Sequence, residues 1–448
     1  MTTVIFFVAT LAVPLLFGLP LVRLPSLNDC SPAARVAIAW AGGTVILTAM
    51  FTALAALGIS WRPWLVMAIA LVAVGVALRM PVPRRQDDAI VAQNDWPTRG
   101  AAALCAVIAA AGLVQFAAGA ATSADLSFLW GVKAVRFALD YGIDFRWLQQ
   151  PHLIHLHPNY PPLWPVSLAW GALAAGSLPW TAVPVLTWVY LVATGVIVHS
   201  LLRRPLGSRA AAMVALLWFA VLTGSTVRSF SGGSAEGPLL LFVTVAVTTL
   251  VVETRDEEPT LRWLAAGALA GAILTKSEGV VSAGLIVAGT AIRDGVWRRP
   301  NWVRDAVRLA APAVAAAGLW AAIKIAHGLP LTDPIRETAF VVSFGHVDVI
   351  FKVCGRLLVA GVLWIGWLVP LVAALVTKGC RPFRALPGLV VAGGLPLFAA
   401  IYYLHAEGNP LELIVWTFPR LIQPAISVWI VSLGMVSFGR QGGKGTGD

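Results

Sequence analysis

Apolar residues run in blocks of about twenty along most of this chain, separated by short polar connectors. The blocks fall at 3–22, 35–57, 63–79, 100–119, 180–202, 209–223, 238–252, 306–326, 351–376, 385–404 and 420–437, with shorter ones at 161–177, 263–275 and 279–292. At 1.5 Å per residue the last two reach only about 20 Å each, short of a hydrocarbon core of roughly 30 Å. They read as thin spans or as one re-entrant hairpin turning at 276–279. The pattern predicts an all-α polytopic membrane protein with about 11–13 transmembrane helices. A short juxtamembrane helix is expected in the largest polar loop. The opening stretch has no basic n-region and no clear small-x-small cleavage site, which predicts a retained first span.

Composition agrees and removes the soluble classes. The 448 residues are 58% hydrophobic and 12% charged, with mean hydropathy +0.82, far too apolar for a water-soluble globule. A net charge of +11 would suggest nucleic acid in a soluble protein. Here the basic residues sit in short loops between apolar blocks, so the positive-inside rule accounts for them and no nucleic-acid partner is expected. The four cysteines are scattered singly, without the spacing of a disulfide framework or a zinc site. No internal repeat and no appended soluble domain is visible.

Charge also orients the chain. With the N-terminus outside and 161–177 dipping in and returning, the clusters Arg79/Arg84/Arg85/Arg99, Arg203/Arg204/Arg209, Arg298/Arg299/Arg304/Arg308 and Lys378/Arg381/Arg384 all fall inside. Polar segments 123–160, 223–237, 327–348 and 405–419 then face outward, and 438–448 is a cytoplasmic tail. Any chemistry is expected on the extracytoplasmic face of the cell (plasma or inner) membrane.

The segment 123–163 is the longest that is neither span nor simple connector. If 126–141 is one helix, Asp125, Lys133, Arg136 and Asp140 share an arc of about 80°. Phe128, Val132, Val135 and Leu139 form an adjoining apolar stripe, and Ser127, Gly131, Ala134 and Ala138 a small-residue face. Such a helix lies in the interface with its charges toward a cavity; the plain alternative is a juxtamembrane helix with solvated charges. The turn that follows holds His152, His155, His157, Asn159 and Tyr160. Three histidines are a possible zinc set, but no cysteine or carboxylate lies nearby to complete it, so no metal and no cofactor is expected. A polar loop that hydrogen-bonds sugar or phosphate is the better reading.

An acidic residue just outside a span, the helix Trp130-Gly-Val-Lys133-Ala134 and the turn His157-Pro-Asn159-Tyr160-Pro-Pro-Leu163 resemble the membrane-embedded GT-C glycosyltransferases, nearest their protein-mannosyltransferase and aminoarabinose-transferase-like branch. Ser231-Gly-Gly-Ser-Ala-Glu236-Gly-Pro-Leu is similar to the family's second outer loop, with Glu where Asp is usual. Leu274-Thr-Lys276-Ser-Glu278-Gly279 resembles its turn between two short helices. Trp416-Thr-Phe-Pro-Arg420-Leu-Ile echoes a segment that usually carries an Asp, here Pro419. The resemblance covers roughly 100–430, so 100–437 is expected to be the catalytic membrane region. Residues 1–99 are spans without a counterpart.

The resemblance implies transfer of a sugar from a polyprenyl-phosphate donor, with inversion, to a lipid, glycan or protein acceptor. It also implies Asp125 as general base. A carboxylate can take the proton of an attacking hydroxyl, and Lys133, Arg136 and Arg420 are candidate donors to the leaving phosphate. Tyr160 could add a hydroxyl donor. Glu236 reads as a second catalytic carboxylate, or simply as a helix N-terminal charge. Lys276 and Glu278 read as a local ion pair at the turn. The competing class is a transporter or flippase of lipid-linked saccharides, which would place buried charges in broken helices at mid-bilayer.

Overall fold

The computed structural model describes residues 1–24, 27–28, 30–81, 96–118, 123–228, 232–253, 259–296, 300–331, 347–359, 363–376, 382–404 and 410–438. Among these residues there is no strand. The chain is an all-α polytopic membrane protein: nine of the described helices are long and apolar enough to cross a bilayer, and five shorter apolar helices accompany them.

The first half comprises α1 (Thr2–Val22), α2 (Pro32–Ala56), α3 (Pro63–Arg79), α4 (Trp96–Ala118), α5 (Gly131–Leu139), α6 (Leu163–Ala175), α7 (Ala182–Leu206) and α8 (Ser208–Arg228). The second comprises α9 (Glu236–Val252), α10 (Pro259–Thr275), α11 (Glu278–Val296), α12 (Trp302–Ala326), α13 (Val347–Val359), α14 (Leu363–Val376), α15 (Leu386–Leu404), α16 (Pro410–Leu421) and α17 (Gln423–Phe438). Local chemistry sets several ends. Ser31 accepts the Ala34 N–H at 3.2 Å and Pro32 follows at the first helical position. Gly176 and Gly207 take positive φ after α6 and α7, where a Cβ would be strained.

α9 is the axis of the bundle, with every one of its residues buried. It packs against α7, α10, α11, α15 and α17. Hydrogen bonds reinforce this contact inside the apolar core: Trp218 Nε1 donates to Ser427 Oγ at 2.6 Å, and Ser427 also bonds Thr244. Satisfying hydroxyls across helices matters where no water is present. The N-terminal spans join the same core. Trp170 Nε1 donates to the Ala9 carbonyl at 3.1 Å, and the Ser31 N–H to Ser200 Oγ at 2.8 Å. The helices α1, α2 and α3 therefore share one hydrophobic core with the helices that follow.

Several expected boundaries change. The blocks 263–275 and 279–292 lie within α10 and α11, helices of 17 and 19 residues. α11 alone reaches about 28 Å. Charges at Arg262, Arg293 and Asp294 cut the apolar pattern short, yet they remain helical because they pair with one another. The single block 351–376 is described as α13 and α14, with 360–362 outside the described residues. The last span is preceded by a helix beginning at Pro410 rather than by a loop reaching 419. α6 has only 13 residues. Both its flanks meet one neighbouring helix: His157 accepts from Lys133, and Trp180 lies against Gly131, where a Cβ would come within 2.2 Å of the indole. Arg84, Arg85, Arg298, Arg299, Lys378, Arg381, most of 327–348 and the tail from 439 lie outside the described residues.

Candidate active site

Four segments remote in sequence bring charged groups together at one end of α9. Asp125 stands at the start of a π-helical turn, Leu126–Trp130. The Ser123 hydroxyl takes the Leu126 N–H at 3.3 Å, so the Asp125 carboxylate makes no cap bond and turns elsewhere. It accepts from Arg420 Nη2. Arg420 also donates to Glu236 Oε1, from Nη2 at 2.5 Å and from Nε at 2.8 Å. Lys276 Nζ reaches the same Glu236 oxygen at 3.0 Å and Glu278 Oε1 at 3.1 Å. Three carboxylates and two cations thus form one connected cluster. Glu236, Lys276, Glu278 and Arg420 line a narrow cleft with Leu239, Phe398 and Pro424, and Asp125 joins through Arg420.

Each member is held by backbone geometry. Glu236 is the first residue of α9, where the helix N-terminus favours an anion. The preceding turn is pinned because the Gly233 N–H donates to Thr187 Oγ1 at 3.0 Å and its carbonyl accepts from Trp164 Nε1 at 2.9 Å. Lys276 follows the end of α10 in a turn closed by the Gly279 N–H bonding the Lys276 carbonyl at 2.9 Å. Gly279 is obligatory there: a Cβ would sit 1.9 Å from the Ala272 carbonyl oxygen.

Exposure separates the two carboxylates bound to Arg420. The Glu236 side chain is 4% exposed and that of Asp125 is 28% exposed. Asp125 is the more exposed of the two, whereas Glu236 is enclosed between the cations.

A second layer flanks this cluster. Lys133 is 2% exposed, and its ammonium donates to the His157 carbonyl at 2.8 Å. The Trp130 and Tyr160 rings lie 5.4 and 5.9 Å from the Lys133 nitrogen. Burial pulls the Lys133 pKa down to about 7. His157 adopts a left-handed conformation (φ 47°) and stacks on Tyr160, with ring centroids 4.6 Å apart. Asn159 is anchored by its carbonyl, which accepts from Trp320 Nε1 at 3.0 Å, and its side-chain oxygen is buried without a hydrogen-bond partner. Tyr160 lies within electrostatic reach of Lys276, which joins the two layers.

The arc expected along 126–141 is divided. The π-helical turn changes the register ahead of α5, so Lys133 is buried with Trp130, Ala134 and Phe137, and Asp125 faces Arg420. Phe128 and Leu139 of the apolar stripe are 70% and 68% exposed. Arg136 makes a separate clamp, to Asp140 at 2.7 Å and to Asp144 at 2.6 Å. No contact joins it to Asp125 among the described residues. His152 and His155 are exposed, and the described residues contain no group of three or more His, Cys, Asp or Glu able to hold a metal.

Lys276 and Glu278 belong to the site, although the sequence offered them only as a local pair. The signal was present as two charges at an apolar turn; the missing fact was that Glu236 comes to meet them. A second charge network is equally invisible in sequence. At the far end of α9, Arg262 binds Glu253 at 2.8 Å and Asp294 at 2.6 Å. Fully buried Arg293 binds Asp294 at 2.8 Å and Glu253 at 3.2 Å. The 17 residues of α9 separate the two networks by about 25 Å.

Comparison with protein-family models, with curated proteins and with solved structures finds no match to this chain.

Proposed function

We propose that the chain is a membrane glycosyltransferase that moves a sugar from a polyprenyl-phosphate donor to a cell-envelope acceptor, lipid, glycan or protein, on the extracytoplasmic face. The observation that carries this reading is the Asp125–Arg420–Glu236–Lys276 cluster: a partly exposed carboxylate beside two cations at one end of α9.

In this mechanism the acceptor hydroxyl oxygen attacks the anomeric carbon while its proton passes to the Asp125 carboxylate. The bond from that carbon to the phosphate oxygen breaks on the opposite side, the configuration inverts, and polyprenyl phosphate leaves. Arg420 and Lys276 stabilise the charge that develops on the leaving phosphate. Glu236 is a positioning residue that keeps both cations in place. Lys133, His157, Asn159 and Tyr160 form the aromatic and polar platform beside the reacting centre and hold the sugar. Arg136, clamped to Asp140 and Asp144, takes no part in this version of the site.

The test is the mass of cell-envelope glycans in strains carrying the wild-type chain or Asp125→Asn, with protein abundance matched. Loss of one sugar increment in the variant supports the reading, and unchanged glycans refute it. Translocation of a lipid-linked saccharide is the competing reading, which calls for buried charges in broken helices at mid-bilayer, whereas both charge networks stand at the ends of the unbroken α9. Purified protein separates the two. A transferase forms glycosylated product in detergent solution, where a flippase has no compartments to connect.

A further inference from the structure

A groove unrelated to the Asp125 cluster lies between the start of α2 and helices α4, α7 and α8, at the opposite end of the bundle. Thr98 and His199 mark its polar end. Thr98 is in the first turn of α4, the helix whose other end leads toward Asp125, and His199 lies two turns from the end of α7. Small side chains open the slot: Ala102, Cys105 and Ala109 from α4, Gly195 from α7, and Ala212 and Ala215 from α8. Its volume is about 440 Å³, within the usual range for small-molecule pockets.

Each helix that lines the groove carries arginine close to that polar end: Arg35 on α2, Arg99 on α4, Arg203 and Arg204 on α7, and Arg209 on α8. None of these four helices contains an Asp or Glu. The Ser31–Ser200 bond ties the start of α2 to α7, which keeps Arg35 at this end, and Arg35 Nε is buried without a hydrogen-bond partner. Arg203 is within electrostatic reach of His199 on the groove wall.

We infer that this groove binds a phospholipid with an anionic head group, one acyl chain in the slot and the phosphate among the arginines. Neighbouring lipid tails are as apolar as the slot, so shape alone gives little selectivity there. Discrimination must come from the head group, through charge-assisted bonds to guanidinium groups and the local positive potential. Topogenic arginines without a bound lipid would show no dependence on the shape of the slot, and that difference makes the inference testable.

The experiment titrates the purified full chain with phosphatidylglycerol or phosphatidylcholine of matched chains and counts retained lipid by native mass spectrometry. Phosphatidylglycerol should be retained about tenfold more strongly. Gly195→Leu should remove that adduct, because a Cβ there makes only ordinary contacts, 3.5 Å from Phe219 and 3.6 Å from Trp218, and the longer side chain enters the slot. Ala106→Phe fills the slot from α4 and replaces it if the first variant folds poorly. Arg35→Gln with Arg209→Gln should abolish the preference between the two lipids while the slot remains. Equal retention of both lipids by the wild type overturns the inference. So does undiminished phosphatidylglycerol binding in a folded slot-filling variant, or preferential retention of an added polyprenyl phosphate.

Discussion

Arg420 donates to Asp125 across 295 residues of chain, and the same guanidinium group binds Glu236. One side chain from the last third of the protein therefore sets the position of the residue proposed as base. Its planar fork allows a single cation to serve two carboxylates, a geometry that an ammonium group does not reproduce.

Arg420→Lys should accordingly keep the charge but lose the bridge. The expected outcome is a fall in sugar transfer of about 10²-fold, with abundance and detergent thermal stability near those of the wild type. A kinetic comparison in matched detergent checks it, and full activity in the lysine variant would remove Arg420 from the mechanism.

Glu236 is the anion on which buried Lys276 and half-buried Arg420 converge. Glu236→Ala leaves Arg420 and Lys276 without their shared partner and should cost about 3–5 kcal/mol of stability. Thermal unfolding measured by fluorescence should show a marked drop in Tm.

Lys133 makes stability depend on pH in a known direction. Its pKa falls from 10.5 to about 7 in the folded chain because of burial. Between these values the unfolded chain carries the proton and the folded chain does not, so unfolding binds protons and stability rises with pH. The slope from this residue approaches about 1.4 kcal/mol per pH unit within that window. Tm should climb from pH 7 to pH 9 in the wild type, and this component should vanish in Lys133→Met. A rise of equal size in the variant would assign it to another group.

Two glycines of the α10 region offer a paired test of the turn that presents Lys276. Gly279→Ala pushes a methyl group into the Ala272 carbonyl and should destabilise by about 1–3 kcal/mol. Gly267→Ala meets nothing within 4 Å and should be neutral or stabilising by up to about 1 kcal/mol through helix propensity. Thermal unfolding of the two single variants is sufficient. Similar effects at both positions would mean that the turn tolerates a side chain.

The apolar blocks made the membrane class and most helices legible, because spanning a bilayer demands long apolar runs and satisfied backbone groups. α2, α4, α7 and α12 lie close to where the pattern puts them. Boundaries failed where charges are buried in pairs. α11 extends through Arg293 and Asp294 because Arg262 and Glu253 neutralise them, and a hydropathy pattern scores each charge as though it faced lipid alone. The π-helical turn at Leu126–Trp130 was hidden for another reason: helical periodicity assumes a constant angle per residue, and one wide turn separates Lys133 from Asp125.

The sequence by itself determined an all-α membrane protein, a large polar loop opening at Asp125, and the acidic and basic residues worth testing. Only the tertiary structure decided which of them meet. Asp125, Glu236, Lys276 and Arg420 form one cluster, while Arg136 turns to Asp140 and Asp144. The physical reason is that helix formation is encoded by local apolar spacing, whereas an ion pair depends on where helices hundreds of residues apart come to pack.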